Sequence, residues 1–138
     1  MVQAVRAKSA ARARIAESTA PRLHHVQIAI PPSREDEARR FYGELLGLRE
    51  LPKPKNLAGR GGVWFKLGEH ELHLGVQEDF APALKAHPAV MLGDLLSVRA
   101  RLDAAGATTS EDEPLPGYDR CYVNDPFGNR VELLQPKS

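Results

Sequence analysis

Internal repetition is the feature that most constrains this chain. His25 and His87 lie 62 residues apart, Glu71 and Glu132 lie 61 apart, and each His-to-Glu interval runs through the same series of elements. A chain of 138 residues fits one compact domain, or two small modules sharing a core, and a domain of that size can bury roughly two-thirds of its unfolded surface.

The first unit opens on His-Val-Gln-Ile-Ala-Ile, where Val26, Ile28 and Ile30 alternate with His25, Gln27 and Ala29, the period of a strand with one core face. Pro31-Pro32-Ser33 breaks it, and Ser33 is positioned to cap a helix whose apolar residues are Ala38, Phe41, Tyr42, Leu45 and Leu46, with Gly47 as its stop. A Pro/Lys/Asn/Gly loop from Pro52 to Gly62 leads to a strand Val63–Leu67, a Gly68-Glu69 turn and a strand His70–Val76. In the last strand Leu72, Leu74 and Val76 share one face, and Glu71, His73 and Gly75 the other.

The second unit repeats this order. His87 to Leu92 reads as a strand, Asp94 as the cap of a helix with apolar Leu95, Val98, Leu102 and Ala105, and Gly106 as its stop. Arg120–Val123, the turn Asn124–Asn129 and the strand Arg130–Leu134 close it. The elements read as two βαβββ units, an α+β pattern.

Two imidazoles and two carboxylates at repeated positions suit one divalent ion. Strand parity places His25, Glu71 and Glu132 opposite the Val/Ile/Leu face, and an inward carboxylate is costly unless it is paired or coordinating. His73 shares Glu71's face and is its rival as ligand. His24 and His70 have the wrong parity and read as structural or surface residues. Trp64, Phe65, Tyr118 and Tyr122 are candidates either for the cleft wall or for the core, with Trp64, Tyr122 and His73 taken as the cleft set. Arg120 and Lys66 can hold a substrate carboxylate, although a solvated strand residue is the commoner explanation.

Composition narrows the setting. The lone cysteine, Cys121, excludes an intramolecular disulfide and reads as packing, so a reducing cytoplasm is expected. The net charge of +1 hides an uneven distribution: residues 1–22 carry five Lys/Arg against Glu17, a basic and flexible extension before a domain over 23–136. That extension has no apolar stretch typical of a secretory signal, nothing elsewhere approaches a membrane span, and the domain has no basic stripe interleaved with aromatics, so neither a membrane nor a nucleic acid is an expected partner.

Three segments together resemble a known superfamily: Leu-His-His-Val at 23–26, Phe-Tyr-Gly-Glu-Leu-Leu-Gly-Leu at 41–48 and, above all, the closing Asp-Pro-Phe-Gly-Asn-Arg-Val-Glu-Leu at 125–133. From Leu23 to Pro136 the chain resembles the vicinal-oxygen-chelate superfamily of glyoxalase I, fosfomycin- and bleomycin-resistance proteins, methylmalonyl-CoA epimerase and extradiol dioxygenases. The resemblance implies an α+β fold of two βαβββ modules with paired mixed sheets around a cleft, and metal ligands from the first and last strand of each module, here His25, Glu71, His87 and Glu132, similar to the set of bacterial glyoxalase I. It implies a divalent ion (Ni, Zn, Co, Mn or Fe), Glu132 or Glu71 as proton carrier beside a metal-bound carbonyl, a small oxygen-chelating substrate, and a homodimer.

The reading that follows is a glyoxalase-like metal-dependent lyase or isomerase. A bleomycin-resistance-like protein that sequesters a small molecule is the alternative from another class, and the ligand set counts against it. A fosfomycin-resistance-type thiol transferase needs only His25, His87 and Glu132, but no Lys/Ser/Thr cluster for a phosphonate is evident. An extradiol dioxygenase needs further His and Tyr residues, for which His73, Tyr118 and Tyr122 are candidates. No glutathione-binding pattern is recognisable in the loops, and one scaffold hosts many reactions.

Overall fold

The computed structural model describes residues 19–138. Residues 1–18, most of the basic extension expected over 1–22, lie outside the described residues. The first module comprises β1 (His25–Ile30), α1 (Glu35–Ala38) continuing as a π-helix (Arg39–Leu45), β2 (Glu50–Leu51), α2 (Lys55–Ala58), β3 (Val63–Leu67) and β4 (His70–Val76). The second comprises β5 (Ala89–Met91), α3 (Leu95–Ala104), β6 (Thr109–Ser110), β7 (Tyr118–Asn124) and β8 (Arg130–Pro136). Each module is a four-stranded mixed sheet, ordered β1-β4-β3-β2 and β5-β8-β7-β6. The expected α+β duplication is the fold observed.

Both sheets follow the alternation of their sequences. Leu72, Leu74, Val63 and Phe65 in the first, and Val90, Val131, Leu133, Cys121 and Val123 in the second, are buried on the faces that the helices cover. Burying such aliphatic and aromatic side chains stabilises by about 1.5–3 kcal/mol each. The opposite faces hold His25, His73 and Glu71 in one sheet, and Tyr122, Glu132, Arg120 and Arg130 in the other, aligned by the strand registers.

Several local expectations are corrected. Ser33 does not cap the first helix: its φ of 65° turns the chain into the left-handed region, and the cap position passes to Arg34. Arg34 pairs instead with Glu37. The helix then widens, with Leu46 N–H donating to Phe41 C=O five residues back at 3.0 Å, which brings Ala38, Phe41, Tyr42 and Leu46 into the core and leaves Leu45 partly buried. The Pro52–Gly62 loop contains α2, and each module has a two-residue strand, β2 or β6, that carries no readable pattern.

In the second module Asp94 does cap α3, accepting from the Ser97 N–H at 3.1 Å and from its hydroxyl at 2.7 Å. Ala105 is the C-cap and is exposed, not part of the apolar stripe. β5 starts at Ala89 rather than His87, because Pro88 has no N–H for the ladder and His87 turns back onto Lys85.

The closing turn is the joint between modules. Buried Asp125 accepts at Oδ1 from the N–H groups of Phe127 (2.9 Å) and Asn129 (2.8 Å), and at Oδ2 from the Asn129 amide (3.0 Å) and the Tyr42 hydroxyl (2.8 Å) of the other module. Asn129 also donates across the joint to Ala29 C=O at 2.8 Å. Burial, and then Asp125 beside it, push the Tyr42 phenol well above its ordinary pKa. Arg101 adds a bond to Leu45 C=O at 3.1 Å.

Candidate functional site

On the first sheet His25 lies opposite Glu71 in register, and Gln27 opposite His73, which in turn faces Trp64. The His73 ring lies between two others, stacked on Trp64 at 3.8 Å and on His25 at 4.1 Å. Its Nε2–H donates to Glu71 Oε1 at 2.9 Å. That bond, opposed by partial burial and helped by His24 and Lys66, holds the Glu71 carboxyl below its ordinary value. His73 is thus only 4% exposed, with both ring faces covered and one nitrogen spent. His24, set aside by parity, meets His25 through their Nδ1 atoms at 2.9 Å, one donating and the other accepting.

On the second sheet Glu132 lies opposite Tyr122 in β7 and Ala89 in β5. His87, two residues before Ala89, nevertheless places Nε2 at 3.2 Å from Glu132 Oε1. Its Nδ1 lies 2.8 Å from Lys85 C=O, and since a carbonyl only accepts, the ring proton sits on Nδ1. Nε2 of the neutral ring is then a lone pair aimed at a carboxylate oxygen. A proton or a cation is what makes such an approach favourable, so the donor chemistry of this pair fits a divalent metal.

Glu132 is surrounded by donors. The Tyr122 hydroxyl donates to its Oε1 at 2.9 Å, and Arg120 approaches the same atom at 3.6 Å while donating to the Tyr122 oxygen at 3.0 Å. Burial first, then Glu132, raise the Tyr122 phenol above its ordinary pKa. Arg120 is therefore a mostly buried partner of this cluster rather than a solvated strand residue. In both sheets the glutamate commits Oε1 to its own neighbours, and Oε2 has no hydrogen-bond or ion-pair partner among the described residues.

The four imidazole and carboxylate candidates are brought together as two pairs, His25 with Glu71 and His87 with Glu132. Among the described residues no three His, Cys, Asp or Glu side chains of one chain cluster as a metal site. Of the other candidates, Trp64 and Tyr122 stand on the polar sheet faces as expected of a cleft wall, Phe65 is fully buried core, and Tyr118 is half-buried at the start of β7. Buried Cys121 is packing, and burial raises its thiol pKa.

A cavity of about 380 Å³ runs along the outer edge of β1, lined by Gln27, Ala29, His87, Pro88 and Arg130 among others, so it touches the second pair from the first sheet's side. A second cavity, about 490 Å³, lies between the π-helix and the β7–β8 turn and reaches none of these groups. No described helix is long and apolar enough to cross a membrane.

Comparison with known proteins agrees with this architecture. No curated protein matches the chain. Among solved structures, a glyoxalase family protein from Bacillus anthracis is 44% identical over 86% of this chain and 97% of its own, with a TM-score of 0.80. A lactoylglutathione lyase from Agrobacterium tumefaciens (22% identity, 85% and 95% coverage, TM-score 0.62) and the fosfomycin resistance protein FosX from Listeria monocytogenes (13%, 86% and 96%, 0.66) share the fold. A family model, the glyoxalase-like domain, matches residues 27–134. With two βαβββ modules and His/Glu pairs on both polar sheet faces, the chain belongs to this glyoxalase-like family, within the vicinal-oxygen-chelate superfamily.

Proposed function

We propose that the protein is a glyoxalase-like metal-dependent lyase or isomerase that moves a proton on a small substrate chelating through adjacent oxygens. The observation that carries this reading is the state of the two glutamates: each has one oxygen fixed within its sheet and the other unpartnered beside a histidine on a polar sheet face. Neither Oε2 is a buried unsatisfied atom, so each is accessible to an incoming cation.

His25, Glu71, His87 and Glu132 are the residues that would hold the ion. Because they form two separate pairs, the reading extends to a homodimer in which the first pair of one copy meets the second pair of another. A divalent ion held by these residues would supply Lewis-acid stabilisation of negative charge on the substrate's vicinal oxygens.

The chain's own residues supply the rest. His73 keeps Glu71 ionised and oriented, which suits a permanent ligand better than a base. It is assigned here as the positioning residue for Glu71 rather than as its rival. Glu132 is assigned as the proton carrier, since the Tyr122 hydroxyl can follow its charge by donating to Oε1 while Oε2 has no partner among the described residues. Trp64, His73 and His25 form a stack of rings that offers a flat surface to a substrate.

The test is metal content after purification without chelator. Wild type should hold stoichiometric divalent metal, and His25→Ala and Glu132→Gln should each lose most of it. A wild type that holds none and takes up none of Ni²⁺, Zn²⁺, Co²⁺, Mn²⁺ or Fe²⁺ would instead support a small-molecule-binding protein. If metal binds, 2-oxoaldehyde, acyl-CoA, epoxide and catechol substrates separate the possible reactions.

A further inference from the structure

Arg130 is a second charged group on the polar face of β8, two residues before Glu132. Alternate residues on a strand share a face and lie about 6.6 Å apart. The guanidinium carbon lies over the Tyr122 ring, 3.9 Å from its centroid, and the side chain is three-quarters buried. Such a cation normally spends its five N–H donors on carbonyls or carboxylates. Here its guanidinium makes no hydrogen bond among the described residues, and its one ion-pair partner is the half-exposed Asp112 at a long 3.5 Å. Arg120 on the same face differs, because its donors go to Glu113 C=O and the Tyr122 oxygen.

Beside Arg130 is a cavity of about 120 Å³, lined by Thr108, Ser110, Asn124, Tyr122 and the exposed Leu84. Asn124 is opposite Arg130 in register, and Ser110 is opposite Tyr122. Two hydroxyls, a carboxamide and a fixed guanidinium with unspent donors form a small anion pocket at the end of the Glu132 face. It holds a single cation, already shared with Asp112, so it suits one singly charged carboxylate group, such as one end of a dicarboxylate, better than a phosphate group that carries up to two charges.

We propose that Arg130, with Ser110 and Asn124, binds a carboxylate of the substrate, so that the substrate is a short-chain organic acid whose carboxylate lies a few bonds beyond its chelating oxygens. The statement about the substrate rests on the reading of Glu132 as part of the reacting site; the pocket itself is open to test without any metal. Asp112 serves as the resident partner that an incoming carboxylate displaces, a fork-to-carboxylate exchange that favours Arg over Lys.

The experiment is titration of chelator-treated, ¹⁵N-labelled full-length protein with succinate, and separately with inorganic phosphate, at constant ionic strength. Succinate should shift the amides of Ser110, Asn124 and Arg130 saturably and bind more tightly than phosphate. Arg130→Leu should weaken succinate binding about tenfold or more, Arg130→Lys should weaken it less, and Asp112→Asn, on the exposed side of the pair, should strengthen it severalfold. Succinate affinity unchanged in Arg130→Leu, or shifts confined to other sites, would overturn the proposal. Phosphate binding more tightly than succinate would overturn its carboxylate assignment. Should Arg130→Leu fail to fold, opposite shifts in affinity for Arg130→Lys and Asp112→Asn support the pocket, and no change in either rejects it. Because no metal is present, failure here leaves the metal reading standing, and loss of the metal reading leaves the pocket.

Discussion

His73 shows how one side chain acquires a role from its neighbours. Parity puts it beside Glu71, and on a bare strand it would compete for a metal, but Trp64 and His25 cover its faces and Glu71 accepts its N–H hydrogen bond. His73→Ala should therefore leave the ligands in place yet lower metal affinity about 10–100-fold, the usual cost of removing a ligand's orienting partner; a competition titration with a chromophoric chelator measures it. The same bond affects stability. Because the folded Glu71 carboxyl is held below its ordinary value of 4.5, the bond stabilises the fold above that value and is lost as pH falls through the lowered one. Wild-type stability should thus fall more steeply in acid than that of His73→Ala, as urea unfolding at several pH values will show. Cys121, buried with its thiol pKa raised, should react with a thiol reagent near pH 8 only after unfolding. At this scale the alternation made His25, Glu71 and Glu132 legible as one class. The roles of His24, His73 and Arg130 depend on which ring or carboxylate lies on the adjoining strand, which a single sequence does not show.

Among the elements, the long apolar strands and the α3 cap were legible because a period of two and an Asp-x-x-Ser cap are local signals. The two-residue strands β2 and β6 are too short for a period, and the π-helix hides because Ala38, Phe41 and Tyr42 fit either winding until Leu46 closes the wider turn. The closing Asp125–Asn129 segment was legible as a turn but not as the joint between modules, since its partners Tyr42 and Ala29 are 83 and 100 residues away. Asp125→Ala should cost about 2–4 kcal/mol by leaving buried backbone N–H groups unpaired, more than Tyr42→Phe, which removes one donor to a charged acceptor and should cost about 1.5–3 kcal/mol. Chemical denaturation of both variants tests the order. Gly62 is fixed by sterics: at φ 86° a Cβ would sit 2.2 Å from Leu74 C=O, so Gly62→Ala should displace β3 from β4 and destabilise more than Gly59→Ala, where nothing lies within 4 Å.

At the scale of the whole molecule, duplication placed equivalent His/Glu pairs on two sheets, and packing then joined the modules through helices and the Asp125 turn instead of through those pairs. The repeat was legible from the chain, but the separation of its two halves was not, because it depends on which faces of the modules meet. A homodimer that exchanges halves answers this geometry, and it makes a prediction that a site within one chain does not. His25→Ala/Glu71→Gln disables the first pair, and His87→Ala/Glu132→Gln the second, so neither double variant alone should hold metal. Co-expressed, random pairing makes about half of the dimers mixed, and each mixed dimer joins an intact first pair from one copy to an intact second pair from the other at one of its two sites. Metal content should then recover to about a quarter of wild type. Sites confined to single chains give no recovery whatever the mixture, and a wild type that is monomeric by sedimentation while binding stoichiometric metal would equally rule out the exchanged arrangement.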